Sequence, residues 1–177
     1  MIYYAGIGSR SVPNSIIDMM VSFGTFAASH GATLRSGAAD GADSAFELGA
    51  NKWGGATEIF LPWEKYNDHP SSLFPPSRKA HKLASTIHPA WNKLSRPVRL
   101  LVARNMHQIL GYDLNTPVQF VVCYTPDGCQ SHMTYGSSTG GTGSAISLAS
   151  QNNIPIFNFA IPNRLKDSKE YLLSIIH

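Results

Sequence analysis

Short runs of apolar, β-favouring residues alternate along this chain with longer segments in which apolar residues recur at helical spacing. Apolar runs of this length are typical of buried strands, and apolar residues at intervals of three and four predict amphipathic helices. Strands are predicted at 2–7, 32–35, 57–61, 118–124 and 154–159. Helices are predicted between Pro13 and Gly31, between Gly41 and Gly54, and over 78–88, 97–111, 143–151 and 168–176. Because strands and helices alternate, we expect an α/β fold: a doubly wound, mostly parallel sheet with helices on both faces.

Two long segments follow neither pattern and are predicted to be loops. Residues 62–78 contain four prolines and few periodic apolar positions, and we expect them to lie over the carboxyl edge of the sheet. Residues 125–141 are rich in glycine and serine. Long loops in compact domains are usually functional or mobile. The length of 177 residues suits one domain, 1–177, with one sizeable core.

Composition and charge exclude several classes of protein. Apolar residues make up 43% of the chain, which argues against disorder. We expect no membrane partner and no secretion, because no apolar run is long enough to span a bilayer and no signal-peptide pattern begins the chain. Two cysteines, Cys123 and Cys129, do not make a disulfide framework, so a reducing, cytoplasmic location is expected. The histidines and cysteines lack zinc-ligand spacing, so no metal is expected, and the net charge of +3 indicates nucleic-acid binding only if it is clustered.

Two glycine-containing turns stand where an open parallel sheet places its ligand. After the first strand, Gly8 allows a sharp turn, Ser9 offers a hydroxyl, and Arg10 offers a guanidinium suited to phosphate. The alternative is an ordinary strand-to-helix turn with a solvent-facing arginine. The other turn precedes a predicted helix and combines glycines with hydroxyl side chains, which favours an anion over a purely structural hinge. Its candidate ligand-binding residues are Thr139, Gly140, Gly141, Thr142, Gly143 and Ser144.

A third candidate region follows the second strand, where small residues crowd a strand-to-helix junction. Its candidate ligand-binding residues are Arg35, Ser36, Gly37, Asp40 and Asp43. The functional interpretation is a carboxylate that binds a ribose hydroxyl or acts on a glycosidic carbon. The spacing puts Asp40, Asp43 and Glu47 on one helical face. The alternative interpretation is helix capping by Asp40 and complementation of the helix dipole.

Arg104 and Asn105 form the fourth candidate. Asn105 falls on the apolar stripe of its predicted helix, and a buried amide needs hydrogen-bond partners. It either holds a neighbouring loop or presents Arg104 to a ligand. Arg96 and Arg99 give the same helix a basic start, which opposes the helix dipole, so an anionic partner would relieve the conflict.

The order of these motifs resembles that of the SLOG superfamily, which unites the Smf/DprA recombination mediators with the LOG-type (lonely-guy) proteins. The motifs are Gly-Ser-Arg at 8–10, Ser-Gly-Ala-x-Asp-Gly-Ala-Asp at 36–43 and Gly-Gly-Thr-Gly-Ser at 140–144. The stretch at 36–43 is similar to the DprA motif Ser-Gly-x-Ala-x-Gly-Ile-Asp, and Arg104-Asn105 is similar to the start of the DprA segment Arg-Asn-Arg-Ile-Ile. The resemblance implies a Rossmann-like sheet whose carboxyl edge binds nucleotides or nucleotide-derived ligands.

The resemblance implies three functions. LOG-type proteins cleave a base–ribose-phosphate bond with a Pro-Gly-Gly-x-Gly-Thr-x-x-Glu motif, but here Ser147 stands at the Glu position and cannot supply a carboxylate. DprA-type proteins bind single-stranded DNA and load a recombinase. SLOG domains in anti-phage systems sense NAD-derived nucleotides such as cyclic ADP-ribose isomers, and a free-standing domain is expected to sense or sequester them, for phage or host.

The prediction that follows is a protein that binds a phosphate-containing nucleotide derivative without turning it over. The alternatives are a DprA-like binder of single-stranded DNA and a LOG-like nucleotide N-glycosidase. No catalytic residue and no cofactor are assigned. A homo-oligomer is expected because SLOG relatives often associate.

Overall fold

The computed structural model describes residues 1–176 and has a central sheet of five strands. The strands are β1 (Ile2–Gly8), β2 (Ala32–Ser36), β3 (Thr57–Ile59), β4 (Phe120–Tyr124) and β5 (Ile156–Asn158). The helices are α1 (Asn14–Ser29), α2 (Ala42–Trp53), α3 (Arg78–Ile87), α4 (Arg96–Leu110), α5 (Gly143–Gln151) and α6 (Arg164–Ile175). Short 3-10 segments lie at 66–68, 91–93 and 137–142. None of the helices within residues 1–176 is long and apolar enough to cross a membrane.

All neighbouring strands run parallel, in the order β3-β2-β1-β4-β5. The chain therefore moves outward from β1 to β3, and then crosses back to place β4 on the other side of β1. The carboxyl ends of β1 and β4 meet at this reversal, which is the position where open α/β sheets bind ligands. The α/β class, the parallel pairing and the doubly wound arrangement predicted from the sequence are confirmed.

Two apolar cores lie on opposite faces of the sheet because successive strand residues point to opposite sides. Tyr4 packs with Phe23 of α1 and Phe46 of α2 in the larger core, to which α6 also contributes. Its neighbour Ala5 packs with α3, α4 and α5 in the other core. The α1–α2–α6 layer and the α3–α4–α5 layer together bury both faces, as a parallel sheet requires.

Four element boundaries differ from the sequence prediction by two residues or more: the end of β3 and the starts of β4, β5 and α6. The strand predicted to reach residue 61 ends at Ile59, after which Phe60 forms a single bridge to Leu73. The last helix begins at Arg164 rather than residue 168. Arg164 pairs with Asp167 across 2.8 Å, and this polar first turn carries no apolar periodicity to reveal it.

Candidate functional site

A cleft of about 360 Å³ opens at the carboxyl ends of β1 and β4, where the strand order reverses. The turn after β1 contributes Gly8, Ser9 and Arg10, and the segment before α5 contributes Thr139, Gly140, Gly141 and Thr142. Asp43, Arg104 and Asn105 line it as well. The structure thus brings together ten of the residues singled out from the sequence.

The turn after β1 is held close to β4. Gly8 has φ +156°, and a side chain there would meet the Tyr124 carbonyl oxygen at 2.6 Å. The close approach of β1 and β4 therefore requires glycine at this position. The Ser9 N–H donates to the same carbonyl at 2.9 Å, and the Ser9 carbonyl accepts from the Ala42 N–H at the start of α2. Backbone hydrogen bonds therefore fix the floor of the cleft.

Arg10 is the exposed cation at the mouth of the cleft. Its one protein hydrogen bond among residues 1–176 is a long contact of 3.4 Å from Nη2 to the Tyr66 hydroxyl. Most of the guanidinium donors are thus free to bind an anionic group, which suits the bidentate geometry of phosphate.

Arg104 is buried and ties α4 to the carboxyl ends of two strands. Its Nη1 donates to the Gly37 carbonyl and to the Phe60 carbonyl, the latter at 3.2 Å, and its Nε donates to Asn105 Oδ1 at 3.2 Å. Burial lowers the pKa of Arg104, while the nearby Asp43 opposes the shift. This guanidinium has a structural role in addition to lining the cleft.

Asp43 is a buried carboxyl in the wall of the cleft, with 3% of its surface exposed. Burial raises its pKa to about 6, although Arg104 and the N–H groups of Ala39, Gly37 and Gly8 lower it. The Ala39 N–H donates to Oδ2 at 3.4 Å. Asp43 therefore braces the turn after β2 and is the sole carboxylate among the lining residues in the described part of the chain.

Asn105 holds the segment before α5. Its Nδ2 donates to the Gly141 carbonyl at 2.9 Å and to Ser144 Oγ at 3.2 Å. Thr139 is fixed independently, because its hydroxyl donates to Asp127 Oδ2 at 2.5 Å. Both sequence interpretations of the Arg104–Asn105 pair are therefore compatible with the structure: Asn105 holds a loop, and both side chains line the cleft.

Several predicted ligand residues lie outside the cleft lining. Arg35 bonds to Glu58 at 2.6 Å and stacks on the Tyr3 ring at 4.0 Å, so an ion pair with a half-buried carboxylate occupies its guanidinium. The Ser36 hydroxyl donates to the Gly6 carbonyl at 2.6 Å and joins β1 to β2. Gly37 packs directly against Arg104, where a Cβ would overlap the guanidinium.

Two further sequence predictions for the first turn of α2 are wrong. Asp40 is exposed and precedes the helix, whose N-terminal cap is Gly41 with no side-chain cap bond. Because Asp40 stands outside the helix, it shares no helical face with Asp43 and Glu47. Glu47 instead bonds to His69 Nε2 at 2.8 Å.

Gly143 and Ser144, also predicted to bind ligand, lie at the start of α5 and outside the cleft lining. Gly143 packs under the Tyr135 ring, where a Cβ would overlap a ring carbon. Ser144 is fully buried and contacts Asn105. They position the loop and line no part of the opening.

Sequence reasoning missed part of the α4 wall. Val98, Leu101 and Val102 form an apolar side of the cleft, and Gln108 lies deeper, with 1% of its surface exposed. Gln108 Nε2 has no hydrogen-bond partner within residues 1–176, which is costly for a buried amide. The spacing along α4 could have indicated Gln108 as a cleft residue. It follows Arg104 by four residues and so lies on the same face of the helix.

The comparisons with known proteins connect this geometry to a fold. Neither protein-family models nor the sequences of curated proteins give a significant match. Among solved structures, DNA processing protein A (DprA) from Helicobacter pylori is similar with a TM-score of 0.57 at 15% identity, over 99% of this chain and 82% of that one. DprA from Streptococcus pneumoniae is similar with a TM-score of 0.52 at 15% identity, over 98% of this chain and 56% of that one. At this identity the likeness shows the fold alone: the chain shares its Rossmann-like α/β arrangement with DprA chains of the Smf/DprA–LOG fold group.

Proposed function

We propose that the cleft binds a phosphate-containing nucleotide derivative and that the protein holds this ligand without turning it over. The observation that carries the proposal is the meeting of two glycine-containing turns, 8–10 and 139–142, around one opening at the reversal of strand order. Open α/β sheets bind nucleotides at this position. The cleft volume of about 360 Å³ lies within the range of small-molecule sites.

The lining divides by chemistry in a way that suits a nucleotide. Arg10 supplies the cation for phosphate at the mouth, and the α4 residues Val98, Leu101 and Val102 supply an apolar wall for a base. The amide of Gln108, buried behind the cleft lining, would offer a hydrogen bond to a ligand atom that reaches it. An amide lacking a protein partner is satisfied when a ligand provides one.

Binding without turnover is supported by the state of the carboxylates. Ser147 is buried and absent from the cleft lining, and Glu47 is engaged by His69. Asp43 lines the cleft, but it braces the backbone of the turn after β2. The cleft thus lacks the motif glutamate of the LOG-type proteins, and Asp43, the one carboxyl group that lines it in the described part of the chain, is engaged by backbone N–H groups.

Isothermal titration calorimetry with AMP, ADP-ribose and cyclic ADP-ribose isomers tests the proposal. We expect at least one to bind, and we expect Arg10→Gln to weaken that binding by about 10- to 100-fold, because hydrogen bonds to charged groups contribute about 1.5–3 kcal/mol. Arg78→Gln is the matched control, since Arg78 is an exposed arginine on α3 that does not line the cleft. Absence of heat with every ligand contradicts the proposal.

Chromatography of the same incubations tests the absence of turnover. Ligand recovered intact supports a binding protein. Release of free base would favour a nucleotide N-glycosidase instead, and Asp43→Asn and Glu47→Gln would then identify the carboxylate responsible.

A second candidate function is single-stranded DNA binding, favoured by the similarity to the Helicobacter pylori DprA described as having a distinctive single-stranded DNA binding mode. A gel shift with an oligonucleotide at two salt concentrations tests it. A steep loss of binding with salt supports phosphate contacts, since these release counterions.

A further inference from the structure

Tyr66 lies outside the cleft lining but contacts both arginines that line it. Its hydroxyl accepts a hydrogen bond from Arg10 Nη2 at 3.4 Å. Its ring faces Arg104, whose guanidinium carbon lies 5.8 Å from the ring centroid. Tyr66 itself is buried, with 7% of its surface exposed. One tyrosine thus connects the exposed cation at the mouth of the cleft with the buried cation in its wall.

The two arginines bring like charges close together. Burial lowers the pKa of Arg104, Asp43 opposes this shift, and the positive charge of Arg10 adds to it. Arg10 has no acidic partner of its own within residues 1–176. The cleft therefore carries positive charge that its own residues do not neutralise, and a bound anion would relieve the repulsion.

The backbone on both sides of Tyr66 is held in a strained conformation. Lys65, Asn67 and Asp68 have φ angles of +54°, +49° and +57°, in the left-handed region that residues other than glycine seldom adopt. Asn67 Nδ2 donates to the Ala38 carbonyl at 2.8 Å, and Ala38 has φ +57° as well. Four of the seven non-glycine residues with positive φ in residues 1–176 are therefore placed where this segment meets the turn after β2. Strain of this kind persists where surrounding contacts impose it, and it is common at ligand clamps.

Side-chain contacts anchor the two ends of the strained segment, residues 63–69. At one end, Trp63 packs edge-on against the Tyr66 ring, with the centroids 5.2 Å apart. At the other end, His69 Nε2 lies 2.8 Å from Oε1 of Glu47 on α2. The segment is thus fixed to the rest of the protein on either side of Tyr66, and its hydroxyl has a defined place beside the cleft.

We propose that Tyr66 is a positioning residue for the cleft, which holds the Arg10 guanidinium toward the opening so that the ligand phosphate meets an oriented cation. This inference rests on the proposed nucleotide binding and names a residue on which recognition of the phosphate depends. The Tyr66 hydroxyl takes up a donor of Nη2, so most donors of the planar guanidinium are left to bind phosphate oxygens. A long side chain that is held in place before binding loses less entropy when the ligand arrives.

Isothermal titration calorimetry with AMP and adenosine tests the proposal, because these ligands differ by the phosphate alone. We expect Tyr66→Phe, which removes only the hydroxyl, to weaken AMP binding about 3- to 10-fold, the effect of losing one typical hydrogen bond. Adenosine binding should not change. Tyr112→Phe is the matched control, since Tyr112 is an exposed tyrosine outside the cleft lining, and it should bind both ligands as the wild type does.

A double-mutant cycle separates positioning from a general structural role. If Tyr66 acts through Arg10, then Tyr66→Phe should have little further effect on AMP binding once Arg10→Gln is present. A merely structural role would weaken AMP binding by the same factor in both backgrounds and would weaken adenosine binding as well. Either of these results would overturn the proposal.

NMR relaxation of the Arg10 Nε–H group tests the same contact without a ligand, with the signal assigned by its loss in Arg10→Gln. We expect the order parameter of this group to fall in Tyr66→Phe and to stay unchanged in Tyr112→Phe. Equal order parameters in all three proteins would overturn the proposal, and AMP binding by the wild type would then leave the proposed function standing alone. If the order parameter falls as expected but the wild type binds neither AMP nor ADP-ribose, the proposed function fails. The contact between Tyr66 and Arg10 is then supported, and its role in nucleotide binding is overturned.

Discussion

Asp43 is a single residue of the candidate site whose ionisation lowers the stability of the folded protein. Its pKa is raised to about 6, so the folded state holds the proton more tightly than the unfolded chain, in which an aspartate titrates near 4. Its contribution to stability is therefore fully present below about pH 4 and is lost as the pH rises through about 6.

We predict that Asp43→Asn removes this loss. In urea titrations the free energy of unfolding of the wild-type protein should decline between pH 4 and 6 by roughly 2–3 kcal/mol relative to the variant, since one pKa unit corresponds to about 1.4 kcal/mol. Asp18→Asn, an exposed aspartate on α1, is the control and should keep the wild-type profile. If the free energy of unfolding of wild type and of Asp43→Asn depends on pH in the same way, the raised pKa of Asp43 is contradicted.

Individual residue roles were harder to predict from the sequence than the location of the site. Gly8 and Arg10 could be predicted to line the cleft because turn chemistry is local. The role of Arg35 could not, because its partner Glu58 belongs to a neighbouring strand. Gln108 shows the same limit, since its missing partner becomes visible only when α4 packs against the turn after β2.

At the scale of elements, His107 joins the end of α4 to the start of α3. Its Nδ1 lies 3.0 Å from the Gly111 carbonyl, and its Nε2 accepts the Ser77 N–H at 3.1 Å, so the ring is neutral with its proton on Nδ1. Burial lowers the pKa of His107 below its usual value of about 6.5. Protonation would add a second donor facing the Ser77 N–H.

We predict that this contact weakens in acid. The sign is opposite to that of Asp43: stability contributed by His107 is present above about pH 6.5 and is lost as the pH falls toward the lowered pKa. His107→Gln keeps an acceptor near the Nε2 position and cannot titrate, so its unfolding free energy should fall less between pH 7 and 5. Comparison with His30→Gln, at an exposed site, isolates the effect, and identical acid sensitivity of both variants would refute it.

Element positions followed closely from periodicity because both faces of the sheet are covered. Buried parallel strands form continuous apolar runs, and each covering helix has one apolar stripe. Hydrophobic periodicity did not predict the ends of elements that are defined by polar contacts. At Arg164, for example, an ion pair begins α6. The 3-10 segment at 137–142 was likewise predicted as loop, since glycine and hydroxyl residues carry no helical periodicity.

At the scale of the whole molecule, the decisive fact is the strand order, which no local pattern encodes. Alternating strands and helices predict a doubly wound sheet, but they do not say that β4 crosses back to pair with β1. That pairing brings residues 8–10 and 139–142, more than a hundred positions apart, to one opening. The cleft is built from both halves of the sheet, and a ligand there contacts each half.

We therefore predict that a bound nucleotide stabilises the molecule as a unit. A nucleotide identified by calorimetry and present at about 100 times its Kd should raise the free energy of unfolding by about 2.7 kcal/mol. Circular dichroism and tryptophan fluorescence should report the same shifted urea midpoint, because Trp53 ends α2 in one layer while Trp91 precedes α4 in the other. At the same ligand concentration Arg10→Gln should lose most of the increment, and Lys79→Gln/Lys82→Gln/Lys93→Gln should retain it, since those lysines lie outside the cleft. Midpoints that separate between the two probes would mean that unfolding with bound ligand is not a single transition, and the cleft would then not join the two halves of the sheet energetically.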